Sequence, residues 1–461
     1  MKKFDAIVIG AGQAGLPMAG KLARAGKKTL LVEKRRLGGT CINDGCTPTK
    51  TLIASARMAH LARNSAALGI EIPGLKVDYE TVRARAIAIS DRFRASATEN
   101  AEGTKGLRIC YGAAVFLENK VIEVQHAAGR AERFTAPIIV INTGASPLIP
   151  DIPGIRGVNY LTSETVLDLQ EIPRHLIIAG GGYIGLEYAQ LFRRFGAGVT
   201  LIEQADRLLP HEDADACAVI SEVFQKEGIA VMTGAKVTGF HPYGKSRVQL
   251  TLEGERSESR VTGSHVLLAF GRTPQTEGLG LENTGIRRDE EGHVLVDEFL
   301  ETNVPGVFAL GDVKGGPAFT HIAYNDHYLL SRRLLNGKKQ SVKERLLSYC
   351  MFTDPQMGRV GVTENEAIQA GLDYACAKLP MRNVARAIET GETQGFMKAI
   401  VDRKSKKILG ASIIGEAGGE IMSILQMAMM GGLTWEQVRY ATFAHPLYAE
   451  SLNNLFMSLK E

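Results

Sequence analysis

Residues 5–33 read DAIVIGAGQAGLPMAGKLARAGKKTLLVE, and their order decides the fold. A short apolar run to Ile9 predicts a strand. Gly10-Ala11-Gly12-Gln13-Ala14-Gly15 predicts a turn, followed by an Ala/Leu-rich helix to about Ala25. Thr29 to Val32 is a second apolar run, closed by Glu33. Three glycines at this spacing allow a tight turn, close approach of backbone to a pyrophosphate, and close helix–strand packing. The helix N-terminus offers N–H groups and positive potential to phosphates, and Glu33 sits where a carboxylate accepts ribose hydroxyls.

The pattern recurs in HLIIAGGGYIGLEYAQLFRRFGAGVTLIE, residues 175–203, with Gly180, Gly182 and Gly185. Gly10 to Glu33 spans 23 residues, and Gly180 to Glu203 also spans 23. One glycine-rich turn is weak evidence. Two copies, each between strand and helix and each closed by Glu at one offset, predict two dinucleotides held at once. A resident flavin dinucleotide and a nicotinamide dinucleotide make such a pair.

Outward from these copies, helices are predicted over about 51–68 and 79–101. IIVINTGASPLIPDIPG, 138–154, is an apolar strand running into a Gly/Pro-rich domain crossing, and VLLAFGRTPQT, 266–276, repeats its strand-glycine pattern. Strand signals and polar turns fill 230–270. VFALGDVKGG, 307–316, delivers Asp312 into a glycine turn. Beyond about 340 the texture changes to an α+β domain, with strands at 374–379, 395–402 and 408–414 and a helix near 420–430. Arg403 to Lys407 reads as a solvated hairpin tip.

The bulk properties exclude several classes. A length of 461 residues suggests about three domains. Apolar residues at 45% and charged residues at 23% are near the globular average, which excludes a disordered, collagen-like or coiled-coil chain. Lys+Arg 54 against Asp+Glu 50 leaves a net charge of +4, too small to predict a nucleic-acid partner. No apolar run is long enough to span a membrane, and the run before Gly10 is too short for a signal peptide. The expectation is a cytoplasmic protein with no membrane partner.

Six cysteines in this length make no disulfide scaffold. Cys41 and Cys46 stand five apart in GGTCINDGCTPTKTL, residues 38–52. Two buried thiols, a metal half-site and a redox pair all begin this way. A metal site wants further Cys or His at close spacing, and none follows. Bridging the two sulfurs requires an irregular segment, because helical geometry would hold them too far apart. Asn43-Asp44-Gly45 supplies turn chemistry, and Pro48 suits the first turn of a following helix. A helix N-terminus and the nearby Lys50 would favour thiolate.

The two fingerprints, GGTCINDGCTPTK, the LGD turn and the ending TFAHPLYAESLNNLF together resemble the class I pyridine nucleotide–disulfide oxidoreductases. Lipoamide dehydrogenase, glutathione reductase and mercuric reductase belong to that family. The resemblance runs from Phe4 to Phe456. It implies an α/β fold with two Rossmann-like domains, an NAD(P) domain inserted in a split FAD domain, and a C-terminal α+β dimerisation domain. The implied divisions are 1–150 and 271–338 for FAD, 151–270 for NAD(P) and 339–461 for the homodimer interface.

Residue by residue, the resemblance makes Cys46 the flavin-side thiol and Cys41 the interchange thiol that attacks the acceptor. Lys50 would pair with Glu187 beside the flavin. Gly10, Gly12, Gly15, Glu33, Gly39, Thr40, Lys50, Thr143, Gly144, Asp312 and Thr320 would contact FAD. Asp312 would hold the ribityl chain, and the backbone near Thr320-His321 would face the flavin ring. Gly180, Gly182, Gly185, Glu203 and Gly271 would contact NAD(P), with Tyr183 covering the nicotinamide pocket. His445 would be the acid–base group and Glu450 its orienter, reaching across the dimer. An imidazole with its ordinary pKa of about 6.5 can accept and return that proton at neutral pH.

Three positions depart from the family pattern. Leu447 follows His445-Pro446 where Thr is usual, Phe443 stands where many members carry a second His, and Thr47 replaces Val or Ile after Cys46. Eleven residues follow Glu450, and they hold no cysteine pair of the kind mercuric reductases use to hand over metal. The ending AHPLYAESLNNLF is more similar to a bacterial subgroup containing a copper(II)-reducing, hypochlorous-acid-resistance flavoprotein. The expected activity is transfer of two electrons from NAD(P)H, through FAD and Cys41–Cys46, to a disulfide or to Cu²⁺ or Hg²⁺. Dihydrolipoamide dehydrogenase, and an NAD(P)H oxidase or quinone reductase with accessory cysteines, are the alternatives. Glu203 repels a 2′-phosphate and Gln204 supplies no compensating charge, so NADH is expected before NADPH, with Arg207 a partial offset if its turn folds back.

Overall fold

The computed structural model describes residues 1–127, 129–254 and 259–459. The polar turn expected within 230–270 falls partly on 255–258, outside the described residues. The first fingerprint forms as read. Ala6–Ile9 and Thr29–Glu33 are parallel strands, and the helix Gly15–Arg24 joins them. They lie inside a five-stranded parallel sheet, ordered Val307–Ala309, Ile138–Ile141, Ala6–Ile9, Thr29–Glu33, Leu107–Tyr111. Its central strands are apolar throughout and buried on both faces, as a parallel sheet covered by helices and a second sheet requires.

The second fingerprint builds the same plan. Tyr160–Leu161, His265–Leu268, His175–Ala179, Gly198–Ile202 and Ala230–Met232 form another five-stranded parallel sheet. Each unit also carries an antiparallel meander in the same place, Ala113–Glu118 to Ala131–Thr135 in the first and Ala235–Tyr243 to Ser259–Gly263 in the second. Ile138–Ile141 and Val307–Ala309 are neighbours in the first sheet, although the whole second unit lies between them in sequence. The chain leaves through Ala145–Pro147 and returns through Arg272–Pro274, and these two segments pair antiparallel. The two domain crossings are therefore one hydrogen-bonded ribbon.

The C-terminal domain is an antiparallel sheet ordered Ser348–Met351, Gln356–Gly361, Ile408–Gly415, Phe396–Asp402, Tyr374–Pro380. The helix Gly418–Met430 packs on it. The sequence reading located the last three strands and this helix but not the first two strands, whose apolar runs are short and interrupted by Asp354-Pro355. Met427 and Met430 project from that helix into solvent. Among the described residues no helix is long and apolar enough to cross a membrane.

Candidate active site

The two fingerprints match at their first and last glycines and at the closing carboxylate. Gly10 and Gly180 both have positive φ, +97° and +119°. A Cβ on Gly10 would lie 2.2 Å from the carbonyl oxygen of Asn142, and one on Gly180 would lie 2.2 Å from that of Ala269. Gly15 and Gly185 press on the carbonyls of Gly10 and Gly180, leaving 2.0 Å for a Cβ in each case. Only glycine fits these four positions. Glu33 accepts from the N–H of Ala11 and Arg35 at 2.8 Å each, and Glu203 accepts from Gly181 at 2.6 Å and Ala205 at 2.8 Å. Each carboxylate is fixed by its own turn, with lone pairs left for hydroxyl donors.

The surroundings fit nucleotides as well. Gly38 and Gly39, both at positive φ, fold back on the first turn, with the Gly38 N–H donating to the Ala11 carbonyl at 3.0 Å. A Cβ on Gly39 would come within 2.7 Å of the Gly12 Cα. Asn142 Oδ1 accepts from the Gly15 N–H at 2.7 Å, and its Nδ2 donates to the Leu310 carbonyl at 2.8 Å. Next to it, the Thr143 hydroxyl is buried with no partner among the described residues, a donor that a polar ligand would satisfy. Burial raises the Asp312 carboxyl, while Arg272, 3.6 Å away, and Lys314 partly offset this. Gly144 and Gly271 hold positive φ at matching strand exits, and a Cβ on either would meet nothing within 4 Å. The residues present thus fit a dinucleotide at each turn.

The thiol pair lies on a broken helix. Gly39–Asn43 forms one turn and a half, Asp44 and Gly45 leave helical geometry, and Cys46–Asn64 begins a long helix. Asn43 and Asp44 do more than turn the chain. Asn43 Nδ2 donates to the carbonyls of Leu37 and Gly39 at 3.0 and 2.9 Å, and Asp44 takes Arg35 at 2.7 Å and Arg36 at 3.1 Å. These bonds brace the break that puts Cys41 against Cys46. Thr40 contributes its carbonyl, which accepts from the Asp44 N–H at 2.9 Å.

Both sulfurs are free thiols here. The hydrogen bond from Cys41 holds the Cys46 thiol down at about 6, against burial. The Thr320 hydroxyl, 3.4 Å from Cys46 Sγ, and the Lys50 ammonium add to the lowering, and Glu187 opposes it. The same hydrogen bond, with burial, pushes Cys41 far above the ordinary thiol range. At neutral pH the pair therefore keeps one proton on Cys41 and leaves Cys46 as thiolate. Cys46 also occupies the first turn of its helix, where the dipole favours an anion.

Lys50 Nζ lies 2.6 Å from Glu187 Oε2, and the other Glu187 oxygen accepts from the Phe352 N–H at 2.9 Å. Burial alone would lower the Lys50 ammonium, but the Glu187 charge and hydrogen bond outweigh it. Glu187 belongs to the helix Tyr183–Phe195, which also reaches the C-terminal domain. Gln190 exchanges hydrogen bonds with the Asp354 backbone at 2.7 and 2.8 Å, and Arg194 pairs with Asp354 and Glu227 at 2.7 and 2.6 Å. One helix of the second unit thereby aligns the thiol helix and the C-terminal sheet.

His445 Nδ1 lies 2.9 and 3.1 Å from the two Glu450 oxygens. A carboxylate at Nδ1 requires the proton there, which leaves Nε2 for a second transfer. The imidazole is 71% exposed at the surface of the chain, and no hydrogen bond among the described residues joins it to Cys41 or Cys46. Within one chain, Cys41, Cys46, Lys50, Glu187 and Thr320 come together, while His445 and Glu450 pair by themselves.

Residues 4–326 match the family described as pyridine nucleotide-disulphide oxidoreductase, and residues 347–456 match that family's dimerisation domain. The chain belongs to the pyridine nucleotide-disulphide oxidoreductases. Among its relatives, the mercuric reductase of Streptomyces lividans is 34% identical over 450 residues, covering 97% of this chain and 94% of that one. The probable pyridine nucleotide-disulfide oxidoreductase RclA of Escherichia coli K12 is 35% identical over 464 residues, covering all of both. The solved Cu(II) complex of the HOCl-induced flavoprotein disulfide reductase RclA superposes with a TM-score of 0.91, at 35% identity and full coverage of both chains. This oxidoreductase family implies FAD and a pyridine nucleotide, and the C-terminal domain is the family's dimerisation module.

Sequence reasoning missed several residues around the oxidoreductase site. Asn142 hides beside the glycine of its strand exit, and nothing local marks it as the side chain that ties Gly15 to Leu310. The Thr320 hydroxyl, rather than only the backbone there, meets Cys46. Glu212, Phe319, Tyr349 and Arg359 carry no motif, and only the folded chain assembles them.

Proposed function

We propose that this chain is a homodimeric oxidoreductase that carries two electrons from NAD(P)H, through Cys41 and Cys46, to a disulfide or a soft metal ion. The observation that carries the reading is the placement of the two free thiols across the helix break, with the Thr320 hydroxyl 3.4 Å from Cys46 and the Lys50–Glu187 pair one turn further along the same helix. Bound FAD would supply the two-electron relay between nicotinamide and sulfur. Gly10, Gly12, Gly15, Glu33, Gly39, Thr40, Lys50, Thr143, Gly144, Asp312 and Thr320 would hold it. Gly180, Gly182, Tyr183, Gly185, Glu203 and Gly271 would hold the nicotinamide nucleotide. The domain divisions in this reading are 1–150, 151–270, 271–338 and 339–461, and the paired crossings at Ala145–Pro147 and Arg272–Pro274 support the two near 150 and 270.

Cys41 keeps its proton until a base removes it, and then attacks the acceptor. His445, oriented by Glu450 and presented to a second copy of the chain, is the base in this reading. Met427 and Met430 supply exposed apolar surface for that pairing. A thiolate pair binds Cu and Hg by softness, and a disulfide acceptor by exchange. The mercuric reductase and Cu(II)-bound relatives support the metal alternative. Cytoplasmic placement agrees with thiols that must cycle through the reduced state.

An acceptor panel with NADH tests the reading: lipoamide, glutathione disulfide, Cu²⁺, Hg²⁺ and quinones. Turnover should concentrate on a disulfide or a soft metal ion. His445→Ala should lower it by about 10²-fold, the low end for general acid–base catalysis, with dimerisation intact by light scattering. Wild-type turnover on quinones alone would reject the thiol route.

Glu203 supports NADH over NADPH. Its charge is fixed at the strand end, and Arg207, which donates to the Pro210 carbonyl at 3.4 Å, adds no ion pair to it among the described residues. The ratio of kcat/KM for the two nucleotides should favour NADH, and Glu203→Gln should narrow it by roughly tenfold. A tenfold NADPH advantage in the wild type would overturn the preference.

A further inference from the structure

Beside the second fingerprint lies a buried carboxylate with no role in the reading above. Glu212 is 2% exposed. Its Oε1 accepts from the Tyr183 hydroxyl at 3.0 Å and from the Tyr349 hydroxyl, and Arg359 Nη1 lies 3.5 Å away. Arg359 also donates to the Tyr349 hydroxyl at 2.8 Å and pairs with Glu366. The Tyr183 ring packs on those of Tyr349 and Phe319, centroids 5.3 and 6.1 Å away, and these two rings stack at 5.1 Å.

Position gives this cluster its meaning. Tyr183 is the first residue of its helix, directly after Gly182, so it stands at the N–H groups that would face a pyrophosphate. Its neighbour Phe319 precedes Thr320, whose hydroxyl touches Cys46. The Tyr183 ring therefore lies between the second dinucleotide turn and the thiol site. We infer that Glu212 is a positioning residue that latches Tyr183 across the path of the nicotinamide, and that Tyr349 and Arg359 hold the carboxylate when the ring lets go. This latch rests on the nicotinamide reading of the second fingerprint.

The arrangement is reversible for a physical reason. A buried carboxylate stripped of its only donor would be costly. Glu212 has three partners, so releasing Tyr183 leaves it with the Tyr349 hydroxyl and the Arg359 charge. Open and closed states differ by one charge-assisted hydrogen bond and one set of ring contacts. A nucleotide that needs the open state binds more weakly in proportion to the fraction open, so loosening the latch tightens binding.

The test uses the FAD-loaded enzyme and three variants: Glu212→Gln, Tyr183→Phe and the double. Titration calorimetry gives the Kd for NAD⁺, and steady-state kinetics give KM and kcat for NADH. Each single variant should tighten NAD⁺ roughly five- to twentyfold, with the gain appearing in KM, because a charge-assisted bond is weakened or removed. The double should gain no more than the singles, since both cut the same bond. General damage to the site would weaken binding instead. Tyr183→Phe leaves the other Glu212 partners in place, so unchanged or weaker NAD⁺ binding in that variant overturns the latch, as do additive gains. If the wild type binds no NAD⁺, the nicotinamide reading fails and takes the latch with it.

Discussion

Replacing Cys41 with Ser should cut NADH-driven reduction of a disulfide or of Cu²⁺ by on the order of 10³-fold or more, because it removes the nucleophile rather than a supporting group. A serine hydroxyl neither attacks sulfur at neutral pH nor ligates a soft metal. It can still donate a hydrogen bond to Cys46. Since the bond from Cys41 is the largest influence lowering the Cys46 thiol to about 6, Cys41→Ser should leave Cys46 a thiolate, whereas Cys41→Ala should raise it. The long-wavelength absorbance of a thiolate beside oxidised flavin reports this. In the Ser variant the band should stand at pH 7 and fade as pH falls through about 6, because protonation removes the thiolate. In the Ala variant it should fade at higher pH. Both variants should retain any direct reduction of quinone. Disulfide or metal turnover that survives Cys41→Ser would remove the thiol pair from the mechanism.

Much of this site was legible because its chemistry is local in sequence. Gly10, Gly15, Gly180 and Gly185 are forced by carbonyl contacts within their own turns, or from the strand exit beside them, that allow no Cβ. Glu33 and Glu203 each accept from an N–H of their own glycine turn 22 residues back, so their common offset is fixed by the strand-turn-helix-strand geometry. Cys41 and Cys46 lie across a break that Asn43 and Gly45 announce. Other features were illegible for the opposite reason. Glu212 meets Tyr349 across 137 residues, and neither residue stands in a pattern. The strand Ser348–Met351 reads as Ser-Tyr-Cys-Met, with no alternation to mark it, and only pairing with Gln356–Gly361 makes it a strand. Lys50–Glu187 is an intermediate case. Each residue stands in a motif, but their 2.6 Å contact follows only once the second unit packs on the first.

That pair sets the last expectation. Glu187 is 6% exposed, and Lys50 is its only cation within ion-pair distance among the described residues. Lys50→Met strands the carboxylate with one backbone N–H, from Phe352. Breaking a buried pair from one side costs about 3–5 kcal/mol, and because Lys50 retains some solvent contact, about 2–3 kcal/mol is expected here. Denaturant unfolding of the FAD-loaded enzyme measures it. The same substitution acts on Cys46, which loses a cation that lowers it while Glu187 still raises it. The thiolate band should then fade roughly one pH unit higher than in the wild type, so that at pH 7 a large share of Cys46 is protonated. Adding Glu187→Gln removes the unbalanced charge. The double variant should recover most of the stability and return the band toward its original pH, because both defects come from one stranded anion. Turnover decides what remains. If it stays low in the double variant, the ammonium acts on the electron path itself. If it recovers with the band, Lys50 serves only to balance Glu187, and its place beside the cofactor loses its support.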